Sequence, residues 1–208
     1  MNRDALRERL RRALHPLAAA PRDQPTNYTE LRDLLPDAAV LRPAAVLVPI
    51  VWRAEGAGMI LTLRTDRLTH HGGQISFPGG CVEPGDADVV AAAAREAWEE
   101  IGLEPGALEP LGFLDRYATI TGFDVTPVIA LVDADARLVP DPGEVAEVFE
   151  VPLQWVLDPA RQERRSREFL GRVRHYHAIE FEQREIWGAT ASMIVNLAER
   201  LQRSGPGG

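Results

Sequence analysis

Four leucines, Leu6, Leu10, Leu14 and Leu17, open the apolar pattern at helical spacing and predict a helix docked on the domain behind it. Residues 18–43 are rich in proline and polar residues and read as an ordered arm or linker. The run "AAVLVPIVW" (44–52) predicts a buried strand, "AEGAG" a turn, and "MILTLR" (59–64) a second strand pairing back on the first. "TDRLTHHGGQ" reads as a loop, and "ISFPGG" (75–80) as a short strand ending in a glycine pair.

The period then changes. Val90, Ala93, Ala94, Ala97 and Ile101 recur at 3.6-residue spacing and predict an amphipathic helix. Asp86 or Asp88 supplies its N-cap, and Gly102 followed by Pro105 its stop. At 100° per residue the apolar stripe lies away from Glu96, Glu99 and Glu100, so those carboxylates are expected to face out from the core, towards "FPGG". Further strands are predicted over 107–120 and 124–132, and over 144–153 leading into a short helix or turn. Residues 161–177 are Arg-rich and mixed in charge; Arg161, Arg164, Arg165 and Arg167 read as a solvated face. "HYHAIEFEQREIWG" reads as strand and turn, residues 189–203 as a final amphipathic helix, and "SGPGG" as a disordered tail. The expected organisation is a helix and arm over 1–43, one α/β domain over 44–203, and the tail over 204–208.

Composition narrows the function. A chain of 208 residues holds one substantial core rather than two full domains. A net charge of −8 argues against a nucleic-acid polymer or an anionic membrane as partner, though a small anion remains open if a cation or local arginines offset the field. The single cysteine, Cys81, excludes an intramolecular disulfide and a cysteine-based zinc site, and suits a reducing, cytoplasmic compartment. It reads as a small buried residue rather than a nucleophile. No apolar run approaches transmembrane length, and the Arg-rich N-terminus lacks the apolar core of a signal peptide. All the basic residues are arginine, which has no functional reading here.

The stretch "REAWEEIGL" (95–103) holds the candidate chemistry. Glu96, Glu99 and Glu100 crowd one helical turn, where like charges at spacings of three and four destabilise the helix. A divalent cation would compensate them; a solvated face is the plainer alternative. His70 and His71 have no further ligand cluster beside them and read as polar loop residues near a substrate rather than a zinc site. Trp187 reads as a core residue before a base-stacking one.

These residues resemble the signature of the Nudix hydrolases, a glycine, an acidic residue and Arg-Glu…Glu-Glu…Gly, carried here by residues 80–103. The chain departs from it twice: Asp86 stands where Glu is usual, and eight residues rather than seven separate it from Arg95. Ala97 also replaces a larger aliphatic. The longer spacing is similar to the coenzyme A diphosphatase branch. So is "ILTLRTDRLTHHGGQISFPGG" (60–80), in which Arg64, Gly73 and "FPGG" fit and Thr65 replaces the more usual Ser or Ala, and so is "IWGATASMIVNLAERL" near the end. The similarity spans roughly residues 44–200.

The resemblance implies a Nudix fold, a mixed β-sheet sandwiched between α-helices. It implies metal-dependent cleavage of coenzyme A or acyl-coenzyme A to 3′-phosphoadenosine 5′-phosphate and an (acyl-)4′-phosphopantetheine. The cofactor expected is Mg²⁺ or Mn²⁺, on Glu96 and Glu100 with Glu99 assisting and the Gly80 carbonyl as a further ligand. Arg95 would orient Glu99. The general base would be a helix glutamate such as Glu99, or Glu144 or Glu147 downstream, with Glu83 a weaker candidate. Arg64, His71, Gly73, Gln74 and Phe77 would contact substrate, and a minority reading gives one of the arginines at 161–167 the 3′-phosphate. The expected partner is a small-molecule diphosphate, with no nucleic-acid polymer and no membrane, and a homodimer is compatible. The rivals are a Nudix hydrolase of ADP-ribose or a dinucleotide, and a non-catalytic nucleotide-binding module; the intact glutamate set argues against the last.

Overall fold

The computed structural model describes residues 2–35, 41–66 and 72–205. Helix α1 (Arg3–Ala13) starts where the Asn2 side chain accepts the Ala5 amide at 2.8 Å, and it buries Leu6, Leu10 and Ala13. It ends before Leu17, which is exposed, so the leucine stripe is shorter than its spacing suggests. A single helical turn, α2 (Tyr28–Leu31), lies within the arm.

Strand β1 (Arg42–Arg53) is the axis of the main sheet. It runs antiparallel to β2 (Gly56–Arg64) and to the short β4 (Gly79–Cys81), and β2 in turn pairs with β3 (Ile75–Ser76). The continuous apolar run of β1 has a simple cause: successive side chains are buried on both faces. Ala45, Leu47 and Val51 pack beneath α3 (Val89–Ile101) with Ala92, Ala93, Ala97 and Ile101. Ala44, Val48 and Ile50 belong to a second cluster on the opposite face, which also contains residues of α1.

The predicted strand over 107–120 is broken. β5 (Leu108–Phe113) and β6 (Tyr117–Ala118) are separated at Asp115, whose carboxylate accepts from Arg200 and Asn196 at 2.7 Å and lies 2.7 Å from His15. Both pair with β7 (Phe123–Val132), which runs parallel to β1 from Arg42↔Phe123 to Val51↔Val132. β8 (Val145–Pro152) pairs with β2 and leads into the turn-length α4 (Leu153–Val156).

Residues 162–181 are a hairpin and not merely a charged face. β9 (Gln162–Phe169) and β10 (Arg172–Phe181) pair antiparallel around Leu170 and Gly171, whose φ values of 51° and 73° are those of a tight hairpin turn. β11 (Arg184–Trp187) completes this second sheet, and α5 (Gly188–Arg203) packs its buried side chains in the same cluster as α1. The result is α/β, a mixed sheet between helices, as expected. No helix among the described residues is long and apolar enough to cross a membrane. Residues 206–208 of the tail lie outside the described residues.

Candidate functional site

Helix α3 positions the site. Asp88 provides its N-cap, accepting the Ala91 amide at 2.8 Å, and Gly102 ends it in the left-handed conformation at φ 64°. Its buried face differs from the predicted stripe. Val90 and Ala94 are only half-buried, whereas Ala92 and Glu100 join Ala93, Ala97 and Ile101 inside. Glu100 is therefore not on an outward face: it is 3% exposed. Glu96 is partly buried, and only Glu99, at 55% side-chain exposure, points outward as expected.

Arg64, at the end of β2, explains how Glu100 is accommodated. Its Nη1 donates to Glu100 Oε1 at 3.2 Å, while its Nη2 lies 3.7 Å from Glu144 Oε2. The other oxygen, Glu100 Oε2, is buried with no hydrogen-bond partner. Burial raises the Glu100 carboxyl to a pKa of about 7 against the pull of Arg64, with Glu144 and Glu96 adding like-charge repulsion. Glu96 is raised by burial too, opposed by Arg95.

Gly80 sits against Glu96. A Cβ at residue 80 would lie 2.6 Å from all three atoms of that carboxylate, so only glycine permits the approach. A buried and a partly buried carboxylate, an orphaned oxygen and a close backbone strand fit a hard divalent cation, whose remaining positions water would fill. Among the described residues no group of three or more His, Cys, Asp or Glu side chains converges to hold a metal alone. Glu96, Glu100 and the Gly80 carbonyl are the residues that would hold it.

Arg95 is more occupied than its sequence spacing implied. It reaches Glu99 at 3.1 Å and Glu96 at 2.9 Å, donates to the Cys81 carbonyl at 2.9 Å, and forks onto Asp86 with Nε and Nη2. Asp86 enters the sequence reading only as an alternative to Asp88 for the N-cap, with no role in the site. It does not cap the helix; its Oδ2 accepts the Glu83 amide at 2.8 Å, and the turn so formed delivers a shorter acid to Arg95. An acidic residue at the usual place in the signature was the available signal.

The other candidates separate clearly. Glu144 is brought beside Arg64. Glu147 faces Leu63 across the β2–β8 pair and accepts from Arg184 at 2.6 Å, apart from the carboxylates. Glu83 is exposed. Gly73, at φ 71°, donates its amide to the Arg64 carbonyl at 3.1 Å, and Arg64 in turn donates its amide to the Gln74 carbonyl. Phe77 is a core residue whose side forms part of a cleft wall. His71 and His70 lie outside the described residues. Cys81 is half-buried, as is Trp187, which packs edge-on against Tyr176.

A cleft of about 980 Å³ opens between the main sheet, α2, α5 and the β9–β10 hairpin. Arg64 and Gly80 belong to its wall and also touch Glu100 and Glu96, so the carboxylates stand at its rim. Gln74 and Phe77 line it as well.

The NUDIX domain family model matches residues 41–173. The chain is similar to a protein named uncharacterized Nudix hydrolase NudL from Citrobacter koseri, at 40% identity over 168 residues, covering 77% of this chain and 83% of that one. NudL of Cronobacter sakazakii is 41% identical over 168 residues with the same coverage. A MutT/nudix family protein from Enterococcus faecalis shares the fold, with a TM-score of 0.51 at 15% identity over 98% of this chain and 75% of that one.

Proposed function

The chain belongs to the Nudix hydrolases, which act on diphosphate bonds, and from that premise we propose that it cleaves the diphosphate of coenzyme A or an acyl-coenzyme A. Glu96, Glu100 and the Gly80 carbonyl would hold a divalent cation, Mg²⁺ or Mn²⁺. The observation that carries the metal assignment is the buried, unpartnered Glu100 Oε2. Bound there, the cation would neutralise diphosphate oxygens and acidify a water.

The protein's own residues do the rest. Arg64 holds Glu100 and Glu144 from one guanidinium. Glu144 takes the proton of the attacking water as an oxygen–phosphorus bond forms and the bridging oxygen–phosphorus bond breaks. The products are 3′-phosphoadenosine 5′-phosphate and 4′-phosphopantetheine, acylated if the substrate was. Arg95 keeps Glu96 and Glu99 in place and is itself held by Asp86. Gly73 ties its amide to the Arg64 carbonyl, and Gln74 and Phe77 line the substrate's path. Residues 1–43 serve as a packing helix and arm, and 44–203 as the catalytic domain.

The substrate assignment rests on the resemblance of residues 60–80 and of the lengthened signature to the coenzyme A branch. Its test is a hydrolysis panel with Mg²⁺ or Mn²⁺ over coenzyme A, an acyl-coenzyme A, dephospho-coenzyme A, ADP-ribose and a dinucleotide. Coenzyme A or its thioester should give the highest kcat/KM, with a loss of about one to two orders of magnitude on removing the 3′-phosphate. Equal values across the panel would defeat the coenzyme A assignment. No turnover of any member would favour the binding module instead.

A further inference from the structure

Two neighbouring arginines of β9 have opposite environments. Arg165 is neutralised by three carboxylates: Glu163 at 2.8 Å, Glu180 at 2.7 Å and Glu185. Arg167 has no carboxylate partner among the described residues and lines the cleft. Its guanidinium carbon stands 5.1 Å from the centre of the Trp187 ring, 5.7 Å from Phe169 and 5.8 Å from Tyr176. Aromatic faces attract a cation without cancelling its charge, and they leave its N–H donors free. Arg164, also on the cleft wall, likewise has no carboxylate partner among the described residues.

Of the remaining cleft arginines, Arg42 likewise has no carboxylate partner among the described residues, and the other two are engaged. Arg64 is engaged by Glu100 and Glu144, and Arg174 by Asp33 and the Glu30 carbonyl. Arg42 lies over Phe123 at 4.3 Å. The acids in this part of the cleft are few: Glu30 is in its lining. A protein of net charge −8 thus leaves three uncompensated cations on the wall of one cavity, Arg42 from β1 and the pair Arg164 and Arg167 from β9. Such a pair has a clear chemical complement in a dianionic phosphate monoester, which an aromatic-seated guanidinium can grip bidentately.

We infer that Arg167, with Arg164 also on the cleft wall, determines specificity by holding a phosphate monoester of the substrate that is separate from the diphosphate being cut. The inference rests on the coenzyme A reading for the identity of that group, the ribose 3′-phosphate, but the subsite can be probed without turnover.

The experiment compares binding of adenosine 3′,5′-bisphosphate and AMP by calorimetry to the wild type, Arg167→Gln, Arg164→Gln and Arg165→Gln. Wild type should prefer the bisphosphate by about tenfold or more, the effect of a charge-assisted contact. Arg167→Gln should remove most of that ratio, Arg164→Gln part of it, and Arg165→Gln none. The ratio of kcat/KM for coenzyme A over dephospho-coenzyme A should fall in step. A protein that turns over neither compound but keeps the binding pattern would sink the hydrolysis reading and leave the subsite standing. A wild type that does not discriminate, an Arg167→Gln variant with the wild-type ratio, or an equal loss in Arg165→Gln would overturn the subsite.

Discussion

Arg95 forks onto Asp86, Nε to Oδ1 at 2.9 Å and Nη2 to Oδ2 at 3.0 Å, so the arginine of the signature is fixed by the residue at which the chain departs from it. The hydrogen bond from Arg95 holds the Asp86 carboxyl below its ordinary pKa, and the pair stays ionised at neutral pH. Asp86→Asn leaves one oxygen to accept and points an amide donor at a guanidinium. Arg95 would then hold Glu96 and Glu99 less firmly. Steady-state kinetics should show activity lower by about tenfold to a hundredfold, as for residues that orient metal ligands. Wild-type kinetics would remove Asp86 from the machinery.

The glycine pair separates function from folding. In Gly80→Ala the new methyl meets the Glu96 carboxylate, the movable end of a side chain. The carboxylate swings aside, and metal affinity and turnover should fall together while the melting temperature changes little. In Gly79→Ala the methyl meets backbone, 2.4 Å from the Ala45 carbonyl oxygen and 2.6 Å from Val46 Cα. That strand cannot retreat without breaking its pairing, so stability should drop by about 1–3 kcal/mol. Denaturant melts of both variants, with metal titrations of Gly80→Ala, check the contrast; a reversed ranking would contradict it.

Part of this was legible before any coordinates. The run at 44–52 and the α3 helix follow from local pattern, because β1 is buried on both faces and α3 on one, whereas the link between Gly80 and Glu96 is implied only by the family resemblance. Burial of Glu100 was not legible. It depends on Arg64, 36 residues earlier, which reaches across from β2, and helix periodicity contains no term for a distant counter-charge. β9 reads as a solvated face because every residue of it but Phe169 is polar or charged, so no apolar–polar alternation marks a strand, whereas part of β10 and β11 is legible as strand and turn. Arg165 pairs with Glu180 of β10 and Glu185 of β11, and such cross-strand charge pairs mimic a solvated face in one dimension. The break at Asp115 depends on residues of α5, chiefly Arg200 and Asn196, far along the chain.

Glu144 and Glu147 lie one turn of sequence apart but in different surroundings. Glu144 is beside Arg64, half exposed and adjacent to the buried carboxylates; Glu147 is bound by Arg184. Glu144→Gln should lower kcat by about 10²–10⁴-fold, the usual contribution of a general base, with substrate and metal affinity retained. Glu147→Gln should leave kcat near wild type. Unchanged kcat in Glu144→Gln across the pH range would pass the role to Glu99.

Glu100 makes metal-free stability depend on pH with a definite sign. Its pKa rises from an ordinary 4.5 to about 7 in the folded protein, through burial. Below pH 4.5 the carboxyl is protonated in both states and costs nothing. As pH rises, the unfolded chain ionises first, so folding stability falls between about 4.5 and 7 and is flat above. The loss attributable to this group is on the order of 3 kcal/mol at 1.36 kcal/mol per pKa unit. Glu96, raised as well, adds a fall of the same sign; Asp86 and Asp115, both lowered, act in the opposite direction at more acid pH. Glu100→Gln keeps an acceptor for Arg64 but cannot ionise, so its stability should vary much less over this range and exceed that of the wild type near pH 8 without metal. Mg²⁺ should raise the wild-type melting temperature more at pH 8 than at pH 5, and should do little for the variant, whose turnover should be nearly abolished. Parallel pH profiles for the two metal-free proteins would show that Glu100 does not carry this titration.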